Sequence, residues 1–169
     1  MTRLAHRYSL IAPAVLLFCL GAAQAAEPVR KVALWNLGND KLAIKGYDPV
    51  AYFPEGGGAV MKGDEKLTAD YGGVVYHFAS PAHRETFLAN PARYEPAHGG
   101  WCSYAMLEGD KVQVDPRSFL VEEGRLFLFY KGFLGDTRAK WRKADHATEA
   151  NTADGMWKKL SGESPSNSR

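Results

Sequence analysis

The sequence predicts an α+β fold: a small antiparallel sheet of hairpins with short helices, closed by C-terminal helices. Three observations carry this. Two apolar runs, 67–71 and 74–78, flank Gly72-Gly73, and two more, 118–121 and 125–130, flank Glu122-Glu123-Gly124. Each pair reads as strand, turn, strand, because glycine supplies the positive φ a tight turn needs. Ser80-Pro81 opens a helical stretch that Pro91 closes, since serine caps free amides and proline loses nothing at the first helical position. Helical stretches over 137–146 and 148–160 each carry one tryptophan, Trp141 and Trp157, to pack them onto the sheet.

In chain order, the first segment is not part of that fold. Arg3, His6 and Arg7 precede a short apolar run, 10–20, and Ala23-Gln24-Ala25 follows it. This is the pattern of a cleavable secretory signal, 1–25, cut near Ala25/Ala26, and the run is too short to span a bilayer comfortably. The expected product is periplasmic or secreted, with no membrane span after cleavage. Residues 26–160 then form a single domain, and the polar tail 161–169 is expected to fray. Short strands are expected at 32–34 and 42–44. Asp48-Pro49 marks a turn beside a dense aromatic cluster, and Gly56-Gly57-Gly58 a loop. In the second strand of the first hairpin Val74, Tyr76 and Phe78 share the core face, so His77 points the other way. Gly100 is placed to cap a helix over 101–109. The run 126–130 is almost continuously apolar, which predicts a central strand buried on both faces.

Charge and cysteine content narrow the function. Signal cleavage removes Arg3 and Arg7, leaving 19 basic residues against 19 acidic. A neutral exported domain without a basic run has no footprint for nucleic acid. Of the two cysteines Cys19 leaves with the signal, so Cys102 is alone in an oxidising compartment. That points to a metal, a partner thiol, a reactive sulfur or simple packing. No Gly-x-Ser-x-Gly elbow, His-Glu-x-x-His helix or phosphate loop is present.

Tyr76-His77-Phe78-Ala79-Ser80-Pro81, with Phe87, Asn90-Pro91 and Tyr94, resembles the YHS domain, named for its Tyr-His-Ser signature. Gly46-Tyr47-Asp48-Pro49-Val50-Ala51-Tyr52-Phe53 and His98-Gly99-Gly100-Trp101-Cys102 are similar to the exported bacterial branch of that family. The resemblance implies kinship with cysteine-rich heavy-metal-sensing domains and with copper-handling proteins. It also implies a reactive position at Cys102, where some members of the branch carry selenocysteine. The additional cysteines of the metal-sensing pattern are absent; those places hold residues such as Ala79 and His83.

Independently of the family, a helix starting near Trp101 would place Cys102 in its first turn, where free amides favour the thiolate. His98, four residues earlier across two glycines, is the nearest imidazole. One thiolate and one imidazole suit Cu(I) or another soft ion, with His77, His83 or Met106 completing the set. The expectation is therefore an exported YHS-type binding protein holding a soft metal such as copper at Cys102, His98, His77 and His83. Two alternatives stay open. One is a single-cysteine redox protein in which Cys102 exchanges with a small thiol or disulfide partner. The other is an interaction module without chemistry, in which the aromatics are core.

Overall fold

The computed structural model describes residues 30–165; the expected signal, 1–25, and the last four tail residues lie outside them. Both predicted hairpins form. β1 (Asp64–Tyr71) pairs antiparallel with β2 (Val74–Phe78), and β3 (Asp115–Glu122) with β4 (Arg125–Phe129). Gly72 and Gly73 turn the first hairpin at φ of 59° and 79°. Val74, Tyr76 and Phe78 are buried, and His77 lies on the opposite, partly exposed face, as the alternation requires.

β4 is buried at every position, but it is not the central strand of a sheet. Its strand partner is β3 alone, and a third hairpin pairs β5 (Lys131–Gly132) with β6 (Gly135–Asp136), so the expected antiparallel hairpins form as three two-stranded sheets. The other edge of β4 is occupied by the loop that follows Tyr94. Pro96 bridges Leu126, and the Ser103 amide donates to the Leu128 carbonyl at 2.9 Å. A loop thus satisfies backbone groups that a further strand would otherwise have paired.

The strands expected at 32–34 and 42–44 are absent. Val32–Leu34 is a single 3₁₀ turn, while Leu42 and Ala43 make only isolated bridges to Val75 and Leu37. Asp40, Lys41, Ile44 and Lys45 all have positive φ, between 50° and 60°, which breaks an extended run.

Helix α1 (Pro81–Ala89) starts on Ser80, whose Oγ accepts from the His83 amide at 3.1 Å. α2 (Pro91–Tyr94) is one turn. α3 (Thr137–Trp141) and α4 (His146–Ser161) carry the two tryptophans inward. Trp141 stacks near Phe127 and Phe129, with centroids 5.4 and 5.5 Å away, and Trp157 meets Trp35 edge-on at 6.4 Å. At the start of the tail Ser161 is buried, and Glu163 accepts from the Trp35 indole at 3.0 Å and from the Lys31 amide. No described helix is long and apolar enough to cross a membrane.

Candidate functional site

The segment 95–106 runs along the free edge of β4, and three consecutive left-handed residues bend it there. His98, Gly99 and Gly100 have φ of 55°, 59° and 80°. Glycine is required at 99 on two counts, because a Cβ would also lie 2.6 Å from the Trp157 ring. Asn36 fastens the bend: its amide donates to the Gly99 carbonyl and its side chain to the Gly100 carbonyl, both at 2.9 Å.

His98 is wholly buried and both ring nitrogens are in use. Nε2 lies 2.9 Å from Asp154 Oδ1 and Nδ1 3.0 Å from Ser103 Oγ. Arg125 holds the same carboxylate through two contacts of 2.6 and 2.9 Å. Burial pushes the imidazole below its ordinary range, against the pull of Asp154. Burial acts the other way on Asp154, but hydrogen bonds from His98 and Arg125 hold its carboxyl below the usual carboxylate range. A neutral ring beside a carboxylate must donate from Nε2, so Nδ1 accepts the Ser103 proton. The series Ser103, His98, Asp154 resembles a hydrolase triad in its hydrogen bonds. Ser103, however, is fully buried and offers nothing to a substrate. The array fixes the bend.

This imidazole gives a pH dependence with a definite sign. An unfolded histidine takes up a proton near pH 6.5, whereas the folded ring resists it. Stability is therefore full above about pH 6.5 and declines as the pH falls below it, until the folded ring itself titrates. We expect the unfolding free energy to drop between about pH 7.5 and 5.5, with a shallower slope in His98→Gln. An unchanged slope in that variant would assign the dependence to other groups.

Cys102 departs from expectation. No helix spans 101–109; a 3₁₀ turn over Ala105–Glu108 is all that forms. The Cys102 and Ser103 amides donate sideways to Val112 and Leu128, and the chain coils only over the short stretch closed by Met106 N–H donating to the Cys102 carbonyl at 3.0 Å. Without a helix over 101–109, no dipole from that segment acts on the sulfur. Other polar groups face the sulfur instead. The Tyr130 amide donates to Cys102 Sγ at 3.3 Å, and Thr137 Oγ1 lies 3.3 Å away. Tyr130 and Thr137 are the two feet of the β5–β6 hairpin, closed on each other by Thr137 N–H and Oγ1–H donating to the Tyr130 carbonyl at 3.0 and 3.2 Å. The thiol is fully buried beneath that closure.

The four expected metal ligands do not gather into one cluster. His83 Nδ1 pairs with Asp48 Oδ2 at 2.6 Å, and His77 stands by Gly46 on the outer face of β2. Among the described residues no three His, Cys, Asp or Glu side chains group as a metal cage.

The signature residues are occupied with architecture. Tyr76 donates to the buried Glu95 at 2.6 Å, and Arg30 grips the same carboxylate at 2.5 and 3.1 Å. Ser80 caps α1. Asp48, expected only to form a turn, is a fully buried junction between the aromatic cluster and the start of α1. Tyr130, Thr137, Asp154 and Arg125 escape a reading of the sequence, because nothing local to them points to Cys102 or His98.

No family model, no curated protein and no solved structure matches this chain.

Proposed function

We propose that the protein is an exported single-thiol redox protein in which Cys102 Sγ is the reacting atom. The observation that carries this is the pair of polar groups at the sulfur, the Tyr130 N–H that donates to it and the Thr137 hydroxyl 3.3 Å away. In the neutral state the thiol donates to Thr137 Oγ1, whose own proton goes to the Tyr130 carbonyl. On ionisation that hydroxyl proton can turn onto the sulfur, so the thiolate gains a donor without rearrangement of the fold. The resemblance of 98–102 to the exported YHS branch, with its reactive position, supports the same atom.

The step is oxidation by a hydroperoxide. The thiolate attacks the terminal peroxide oxygen, an S–O bond forms, the O–O bond breaks, and the alcohol leaves with the proton. A small thiol then displaces water from the sulfenic acid to give a mixed disulfide. A second thiol restores Cys102 and departs as the oxidised disulfide. Access requires the β5–β6 hairpin to lift, an opening of the kind that short exposed ribbons undergo below the global unfolding free energy.

The copper reading asks more of the structure, since His98 must first release Ser103 or Asp154. The two readings separate in one experiment. Native protein exposed to hydrogen peroxide and then to a sulfenic-acid trap should label at Cys102. Thr137→Val should react about tenfold more slowly, the worth of one hydrogen bond to a charged sulfur. Stoichiometric Cu(I) uptake lost in Cys102→Ala, with no peroxide labelling, would overturn the redox assignment in favour of the metal.

A further inference from the structure

The β5–β6 hairpin bears the two most exposed large apolar side chains of the described residues, Phe133 at 101% and Leu134 at 81% of their full exposure. Neither supports the core, and both sit at the tip between two short arms. Beside the hairpin lies a cleft lined by Lys45, Lys62, Arg117 and Lys131, with Asp115 as its one carboxylate. Lys131 belongs both to that cleft and to β5, so the cleft reaches the foot of the hairpin, two residues along the chain from Phe133. Arg117 is bound to Asp115 at 3.0 Å. Lys45 and Lys62 are held in place through the Val114 and Lys45 carbonyls, with Lys62 also over the Tyr47 ring at 4.6 Å. Of the cations on α3, which leaves the other arm, Arg138 pairs with Asp136 at 3.5 Å and Lys140 lies over the Tyr104 ring, so neither belongs to the cleft.

An exposed phenylalanine–leucine pair with a basic flank is the arrangement that an anionic bilayer surface rewards. The apolar pair enters the headgroup boundary and the cations meet lipid phosphates. A domain of nearly balanced net charge has no general reason to gather four cations around one acid here. We propose that this face, the β5–β6 tip with the Lys45–Lys62–Arg117–Lys131 cleft, docks the protein on an anionic lipid surface. The docking does not depend on the chemistry at Cys102.

The test is co-sedimentation of the protein, as exported by the cell, with vesicles of phosphatidylglycerol and phosphatidylcholine in equal parts, against phosphatidylcholine alone. Binding to the mixed vesicles should exceed binding to the neutral ones by about tenfold or more and weaken with added salt. Phe133→Ser with Leu134→Ser leaves the core untouched and should weaken binding about tenfold. Lys62→Glu with Lys131→Glu should weaken it only on the charged vesicles. No sedimentation with the mixed vesicles, or binding unchanged in the tip variant, would overturn the proposal. So would self-association that the tip variant abolishes in the absence of vesicle binding, since that would make the tip a protein contact.

Discussion

Replacing Asp48 by alanine is expected to cost about 3–5 kcal/mol of folding stability, the scale for removing one partner from a buried charged cluster. The carboxylate is fully buried and both of its oxygens are used. Oδ1 accepts from the Val50 and Ala51 amides at 2.9 and 3.4 Å, and Oδ2 from the Ala79 amide at 2.8 Å and from His83 at 2.6 Å. Alanine would leave the buried Val50 and Ala51 amides, and the part-buried Ala79 amide, without their acceptor. The substitution Asp48→Asn keeps one acceptor oxygen and should lose roughly half as much. Urea unfolding reads the difference directly; a loss under about 1 kcal/mol for the alanine variant would show that water replaces the carboxylate.

Asp154→Ala should be the second largest loss, about 2–4 kcal/mol, reduced because this side chain retains 16% exposure. The substitution leaves the Arg125 guanidinium, mostly buried and stacked 4.9 Å over Phe127, without its carboxylate. It also leaves His98 Nε2 without an acceptor, and the left-handed bend at 98–100 without its anchor on α4. A double-mutant cycle with Arg125→Met should return a coupling above about 1 kcal/mol. Additive losses would mean that Asp154 acts through solvent and not through the pair.

What was legible in the sequence was whatever local rules decide. Gly72-Gly73, Ser80-Pro81 and the alternation of Val74, Tyr76 and Phe78 each specify a conformation within a few residues, and each formed. The helix over 101–109 failed because local pattern competed with distant partners: Val112 and Leu128 draw the Cys102 and Ser103 amides, which a helix would have left free in its first turn, into lateral bonds. The same distance hid the candidate site. Thr137 is 35 residues from Cys102, and Asp154 is 56 from His98, so only folding brings them together. β4 read as central because burial on both faces is what a central strand shows; here a loop and two tryptophan helices supply the same cover.

The contacts of Glu163 have a consequence for the chain as a whole. Through Trp35 and Lys31 the last described turn rests against the first, with Trp157 and Trp35 sealed behind them. The path of the described residues is thus nearly a closed ring, held shut by side chains where a peptide bond would serve as well. Gly57 and Gly58, exposed and with open space where a side chain would go, mark a place where such a ring could be cut. Circular permutants of residues 30–165, joined between those two ends and opened there, would keep every buried partnership described above, since order along the chain matters less to this fold than which segments meet.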